Sequence, residues 1–198
     1  MDIKPLTLEG TYVRLEPLSI EHLPDLSEVG LDPELWRWTT NIIRTPDELR
    51  TYIRTALEEQ GRGVSLPFAI VERKSNAAIG STRFGNITHE HHRLEIGWTW
   101  IGQRWQRTPV NTEAKYLLLK HAFETLGAIR VEFKTDSLNA KSRAALLRVG
   151  AQEEGTFRNH MLTYSGRIRH SVYFSIINID WPQVRAGLEE KLSRPFDR

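Results

Sequence analysis

The sequence predicts an α/β fold, with a mixed, mostly antiparallel central sheet that is flanked by helices. Two observations carry this prediction. Segments that alternate apolar and polar residues at the period of a strand recur along the chain, and segments with apolar residues at helical spacing separate them. Their order is strand, two helices, three strands, helix, strand, helix, two strands and a last helix. Because no linker, low-complexity tract or repeat interrupts the chain, we expect one domain over residues 1–198.

The first half of the chain begins with a strand over residues 11–18. A short helix follows, with Ser19 as its N-cap and Gly30 just beyond its end. A longer helix starts after Thr45, where Pro46 takes the first helical position and Glu48 completes a capping box. Three strands then form an antiparallel meander, over residues 66–73, 78–87 and 93–102.

The second half alternates helices and strands before it closes with a hairpin. A helix begins at Pro109 and is apolar over most of its surface, which predicts that it packs on the sheet. A strand over residues 128–136 then leads into a short helix that ends at Gly150. A hairpin over residues 153–178 and a last helix over residues 181–198 complete the chain.

Composition excludes several kinds of site. The chain has no cysteine, which excludes disulfides, thiolate metal sites and cysteine nucleophiles. No apolar run approaches the ~20 residues of a membrane span, and the N-terminus lacks the apolar core of a signal peptide, so we expect a cytoplasmic protein. Basic residues are scattered among acids at a net charge of +2, which does not favour nucleic acid as a partner. Residues 89–92 read HEHH, but a tight turn would splay these side chains, and we expect no metal site.

Two helices of the chain start with Thr-Pro, and the difference between them is informative. After Pro46 the first helix places two acids, which suit the positive end of the helix dipole. After Pro109 the second helix places Val110 and Asn111, which carry no charge. The second start therefore keeps its positive end open. Further along the same helix, Lys120 and Glu124 have the spacing of an exposed ion pair.

The open helix start has the chemistry of an anion site. We expect the backbone N–H groups of Val110, Asn111 and Thr112 to be available there, with Arg104 and Arg107 just before them. The alternative is an ordinary surface helix whose first N–H groups bond water. Spacing alone leaves both interpretations open.

Several motifs together resemble the GNAT acetyltransferase superfamily, in the branch of the ribosomal-protein N-terminal alanine acetyltransferases. The resemblance covers roughly residues 8–181. The stretch EIGWTWIG resembles the fourth strand of that family, and NTEAKYLLLKHAFETLG resembles its central helix. The stretch GRIRHSVYFSI resembles its closing strand. The resemblance implies an enzyme that moves an acetyl group from acetyl-CoA, used as a co-substrate without a metal, to a primary amine.

The family would hold the coenzyme A pyrophosphate on the amides of a glycine-containing loop before the central helix. Here Pro109 replaces the first glycine of that loop, which removes one amide donor and some backbone freedom. Asn111 stands at the second small position. The positions that the resemblance assigns to this loop are Gln106, Arg107, Thr108, Val110, Asn111 and Thr112.

The resemblance assigns two further groups of residues to coenzyme A. The pantetheine arm would follow the fourth strand, and a backbone amide there would polarise the thioester carbonyl. A second helix would contribute an asparagine and a small residue, and Lys141 could meet a cofactor phosphate or simply solvent. Many members place a tyrosine on that helix to protonate the leaving thiolate, but Leu146 stands here, and Ser142 could serve instead. For a tryptophan of this strand the structural alternative is core packing, and for Asn139 it is N-capping of the helix. The positions that match the two groups are Trp98, Thr99, Trp100, Ile101, Asn139, Lys141 and Ser142.

Acyl transfer needs a neutral amine, and a base must take its proton. An α-amino group has a pKa of about 7.7–8.0, so a weak base suffices for it. Glu95 is the best candidate for that base, although it could also be an ion-paired strand residue. His160 and Tyr164 could reach a cleft without a motif to support them.

The acceptor is open: a protein N-terminus or a small-molecule amine would both suit this chemistry. A homodimer is also left open, as is the length of the acyl group. A protein of the same fold that binds coenzyme A and regulates without catalysis is the alternative function.

Overall fold

The computed structural model describes residues 1–196 and contains one eight-stranded sheet. The strand order is β1-β2-β3-β4-β5-β6-β8-β7, and every neighbouring pair is antiparallel except β5 and β6. This confirms the mixed, mostly antiparallel sheet. The strands are β1 (Leu8–Glu9), β2 (Val13–Pro17), β3 (Leu66–Glu72), β4 (Ala78–Thr88), β5 (Arg93–Ile101), β6 (Arg130–Asp136), β7 (Gln152–Leu162) and β8 (Ile168–Ile177).

Six α-helices within residues 1–196 flank this sheet. The capping prediction for the helix after Thr45 is confirmed. Thr45 accepts a bond from the Glu48 amide, and Glu48 reaches back to the Thr45 amide. Gly30 is the last residue of its helix, so the expectation that it lies just beyond the helix end is wrong. The short β1 and α2 have no counterpart in the sequence prediction. The helices are α1 (Leu23–Gly30), α2 (Pro33–Trp36), α3 (Pro46–Gly61), α4 (Pro109–Lys120), α5 (Ala140–Val149) and α6 (Trp181–Ser193).

The predicted ion pair between Lys120 and Glu124 is wrong. A π-helical turn over His121–Thr125 follows α4 and changes the spacing of the side chains. Glu124 accepts instead from the indole of Trp181 at 3.0 Å and from Arg185 at 3.0 Å, so it joins the end of α4 to α6. No helix within residues 1–196 is both long and apolar enough to cross a membrane.

The helices cover the two faces of the sheet unequally. On one face α4 and α6 pack over an apolar core that contains Phe84, Phe133 and Phe174. On the other face α1 and α3 cover β3, β4 and the adjoining part of β5, around the ring contact of Trp36 with Trp100. The part of this second face formed by β5, β6 and β8 carries polar side chains. It forms the floor of a cleft that is described below.

A β-bulge lies where β5 passes β4. Trp98 and Thr99 stand opposite the single residue Thr82, and Trp98 takes a left-handed φ of 50°. On its other edge β5 pairs with β6 only over Arg93–Glu95. Beyond the last pair, residues 96–101 have no strand partner on that side within residues 1–196. The sheet therefore opens between its two parallel strands.

Glu113 joins α4 to the beginning of the sheet. Its carboxylate accepts the backbone N–H groups of Thr11, Tyr12 and Val13 at 2.8, 2.6 and 2.7 Å. The side chain is only 4% exposed. A Cβ on Gly10 would lie 2.5 Å from the carboxylate, so only glycine lets the chain come this close. The Glu113 carboxylate is therefore committed to the backbone that leads into β2.

Glu113→Gln should destabilise the fold. The amide side chain keeps one acceptor but turns an N–H group toward buried backbone donors, and we expect a loss of about 2–4 kcal/mol in unfolding free energy. Urea unfolding with an unchanged m-value measures it. Glu58→Gln on the exposed face of α3 is the control and should be near neutral. Equal midpoints for the two variants would contradict the role given to Glu113.

Candidate functional site

The chain leaves β5 through a short turn that runs directly into α4. Gln106 donates from its side-chain amide to the carbonyl of Ile101 at 3.1 Å, which ties the turn to the end of the strand. Trp105 donates from its indole to Glu72 at 2.7 Å. Arg107 takes a left-handed φ of 61° and is exposed. These contacts fix the backbone that leads into the helix start.

The helix start offers fewer amides than expected. The Thr108 hydroxyl accepts from the amide of Val110 at 3.3 Å and donates to the Trp105 carbonyl at 2.7 Å. The Val110 amide is therefore not available, and the expectation of three available amides is wrong. No hydrogen bond of the Asn111 amide or of the Thr112 amide to Thr108 or to a side chain is found within residues 1–196.

The four predicted residues of β5 have different environments. Trp98 is partly exposed, and the Arg83 guanidinium lies 5.6 Å from its ring centroid. Trp100 and Ile101 are each 5% exposed, and their side chains belong to the two apolar cores. At those two positions only the backbone is available to a ligand. The core alternative that was left open for one tryptophan therefore holds for Trp100.

Lys115 is a buried amine that the sequence analysis did not select. It is 5% exposed, and its Nζ donates to the Thr99 hydroxyl at 2.6 Å. Thr99 also bonds the Thr82 hydroxyl at 2.8 Å, so the contact lies inside the bulge. Lys115 forms no ion pair within residues 1–196, and burial lowers its pKa from 10.5 to about 7.

A sequence signal for this buried lysine does exist. Lys115 lies at helical spacing from Leu118, Leu119 and Ala122, all of which are buried. A lysine in the apolar stripe of a helix should prompt a search for its partner.

The start of α5 carries the second predicted group. The Asn139 side chain caps the helix by accepting from the Ser142 amide at 3.0 Å, which confirms the structural alternative. Ser142 is partly buried, and Lys141 is exposed. Leu146 is 7% exposed and packs in the core. Both α4 and α5 follow one of the two parallel strands, so their N-termini lie at the same edge of the sheet.

A cleft of about 720 Å³ lies over the open face of the sheet. Glu95 and Trp98 line it, together with Glu132 of β6 and Tyr173 of β8. A smaller cleft of about 470 Å³ shares Trp98 and Glu59 with it and extends along α3. Trp98 therefore stands between the two spaces.

Glu95 is held at the floor of the larger cleft and is 3% exposed. Its Oε2 accepts from the Asn86 side chain at 2.7 Å and from Lys134 Nζ at 3.3 Å. A Cβ on Gly97 would lie 2.7 Å from its Oε1, so this oxygen sits over the strand just before the bulge. Oε1 has no hydrogen-bond donor within the described residues.

The other titratable candidates lie apart from this carboxylate. His160 contacts the rings of Phe157 and Tyr173, and its Nδ1 is buried without a partner among residues 1–196. Burial, and then the charges of Lys134 and Arg169, lower the pKa of His160. Tyr164 is 45% exposed on the terminal hairpin and does not line the cleft. In residues 1–196 no group of three His, Asp or Glu side chains could hold a metal ion.

The fold is shared with proteins of known structure. The family described as the acetyltransferase (GNAT) domain matches residues 13–152. This chain belongs to the GNAT acetyltransferase family. The resemblance drawn from the motifs is thereby confirmed, and the family makes this GNAT domain an acyltransferase.

Individual relatives agree with this assignment. A GCN5-related N-acetyltransferase from Brucella melitensis superposes with a TM-score of 0.92 at 30% identity, over 100% of this chain and 90% of that one. The Bacillus subtilis (strain 168) protein YdaF, named as a candidate ribosomal N-acetyltransferase, is 27% identical over 174 residues, 84% of this chain and 90% of its own. Mycobacterium smegmatis RimJ, in complex with CoA-disulfide, shares the fold at a TM-score of 0.81 and 23% identity, over 94% of this chain and 95% of that one.

Lys115→Met should stabilise this GNAT domain, and more at low pH than at high pH. The unfolded lysine holds its proton up to a pKa of 10.5, whereas the folded one loses it near 7. Wild-type stability therefore rises with pH between these values, and the gain from Met shrinks over the same range. We expect a gain on the order of a few kcal/mol at about pH 6 and clearly less at about pH 9.

Urea unfolding at both pH values measures this difference. Lys120→Met, on the exposed side of α4, is the control and should have no such pH dependence. A gain from Lys115→Met that does not vary with pH would contradict the burial of a neutral lysine.

Proposed function

We propose that this GNAT domain transfers an acetyl group from acetyl-CoA to a primary amine, either a protein N-terminus or a small-molecule amine. The opening of the sheet after Glu95 carries this proposal. It leaves an edge of β5 without a strand partner within residues 1–196, and an extended ligand arm can hydrogen-bond to such an edge. The helix start at the end of the same strand would receive the phosphates.

The residues at the helix start suit coenzyme A, and Pro109 is compatible with that ligand. Pro109 lacks an N–H group, but the first helical position has no use for one. The Asn111 amide, the exposed Arg107 and the exposed Lys141 supply donors and positive charge. The bound CoA-disulfide of the RimJ neighbour supports the same type of ligand. When bound, acetyl-CoA would supply the acyl carbonyl and a thiolate leaving group.

We assign Glu95 as the base that takes the proton from the amine. Two donors fix its Oε2, and Oε1 is left to accept a proton from an amine, directly or through water. An N-terminal α-amine is already partly neutral near pH 7, so a carboxylate is a sufficient base for it. The cleft above Glu95 is wide enough for a peptide terminus or a small molecule.

One observation favours the alternative, a coenzyme A binding module without catalysis. Leu146 occupies the position where many relatives carry a tyrosine acid, and it is packed in the core. Such a module would bind coenzyme A but would transfer nothing to any amine.

The two functions separate in one experiment. The protein is incubated with acetyl-CoA and a mixed library of peptides and small amines, and acetylated products are identified by mass. Transfer to at least one class of amine supports the enzyme. Saturable binding of coenzyme A with no product across the library supports the module, and absence of any thermal shift with acetyl-CoA would overturn both.

Asn111→Asp should weaken coenzyme A binding. The new carboxylate would stand beside the open amides of the helix start and repel a phosphate there. We expect Kd to rise about tenfold, measured by isothermal titration calorimetry, with unchanged thermal stability. Asn178→Asp is an exposed control at another place in the fold and should bind as wild type does. Equal affinity for Asn111→Asp would show that the helix start is not the anion site.

Glu95→Gln should lower kcat by about 10²-fold with little change in coenzyme A affinity. The amide keeps an acceptor oxygen but cannot take a proton from the amine. Glu132→Gln is the matched control, because Glu132 pairs in register with Glu95 but both of its ion pairs are with arginine. Similar kcat losses in both variants would mean that Glu95 acts only as part of the cleft charge.

A further inference from the structure

Lys115 and Thr99 form a contact that the proposed function does not yet use. The amine lies on the second turn of α4, and the hydroxyl belongs to the bulge of β5. The contact lies beyond Glu95, the last residue of β5 that pairs with β6, on the edge where an extended ligand arm would run. Thr99 is partly exposed, whereas Lys115 is almost fully buried.

The surroundings of Lys115 leave its charge without compensation. Its hydrogen-bond partner is the hydroxyl of Thr99 on β5, which in turn bonds the hydroxyl of Thr82 on β4, and neither threonine titrates. On its own helix, Glu113 is committed to the backbone of β2, and Tyr116 donates to Glu189 of α6. An ammonium has three N–H donors, and Lys115 uses one of them in this structure. A negative charge arriving beside it would find an unpaired buried cation.

We propose that Lys115, acting through the hydroxyl of Thr99, supplies the proton that the leaving thiolate takes up during acyl transfer; this inference rests on the proposed function. The bond between the amine nitrogen and the acyl carbon forms while the carbon–sulfur bond breaks. The sulfur receives a proton from Thr99, which is replaced from Lys115 Nζ. The amine gives its own proton to Glu95. Solvent then removes that proton from Glu95 and returns a proton to Lys115. Lys115 thus fills the role that Leu146 cannot.

The chemistry of the pair suits this role. Burial brings the pKa of Lys115 to about 7, close to the pH at which the enzyme would work, which is where a proton donor is most effective. Once protonated, the same amine favours a thiolate beside it, as basic neighbours of thiols generally do. The pair could therefore donate a proton to the leaving sulfur and also stabilise negative charge on it.

The first test uses coenzyme A itself and no turnover. The far-ultraviolet absorbance of a thiolate is followed against pH for coenzyme A bound to wild type, Lys115→Met and Thr99→Val. Bound thiol should ionise about one pH unit or more lower on wild type than on Lys115→Met. Lys120→Met should match wild type. Identical titrations on wild type and Lys115→Met would overturn the proposal.

The second test measures turnover with an amine found in the product screen. Lys115→Met should lower kcat about 10²-fold, while Kd for coenzyme A stays near wild type. Lys115→Arg should not restore kcat, because arginine keeps its proton. The wild-type kcat should contain a limb that falls as pH rises through the lysine pKa, since only the protonated amine can donate, and Lys115→Met should lack it.

The outcomes separate the two proposals. If Lys115→Met has the same kcat and the same pH profile as wild type, the role of Lys115 is overturned and the proposed function stays intact. A wild type that binds coenzyme A but acetylates no amine would overturn the proposed function, and the thiolate titration would still decide whether Lys115 faces the sulfur.

Discussion

The bulge in β5 is the constraint on which the site depends. Two residues, Trp98 and Thr99, occupy the length that β4 fills with Thr82 alone, so the strand bends at this point. The bulge lies three residues beyond Glu95, the last residue that pairs with β6, in the part of β5 that has left its parallel neighbour. Gly85 makes the bulge sterically acceptable, because a Cβ at that position would lie 2.3 Å from the Trp98 ring. The inserted residue places Trp98 at the cleft and brings the Thr99 hydroxyl to Lys115.

The charges of the open sheet face are almost completely compensated, which makes the exceptions informative. Glu132 pairs with Arg93 and Arg130, and Glu95 pairs with Lys134. Such pairs give the polar floor of the cleft acids and bases in contact with each other. Lys115, on the opposite side of the bulge, forms no ion pair with the described residues. The uncompensated charge of this part of the molecule therefore lies under the bulge and not at the floor of the cleft.

Local signals in the sequence predicted most of the fold, but they could not predict contacts between residues that are far apart in the chain. Residue periodicity and caps identify the strands of the meander and the start of α3, because these features depend on neighbours in the chain. Asn139 could be assigned as a cap for the same reason. The bulge could not be predicted, since it depends on the register between β4 and β5. Nor could the loss of the Val110 amide, since the rotamer of Thr108 decides it. Lys115 was within reach, because helical spacing places it among buried leucines.

Glu113 has a consequence for the order in which the molecule assembles. Its most distant partner, Thr11, lies 102 positions away in the chain, and the other two amides are nearly as remote. Contacts between such distant residues form late, because the loop between them must first be closed. The amides of residues 11–13 emerge first during synthesis and stay unpaired until α4 is made. The attachment of α4 to residues 11–13 is thus a late contact, and α4 is fixed to the beginning of the sheet only when this separation of 102 positions has been closed.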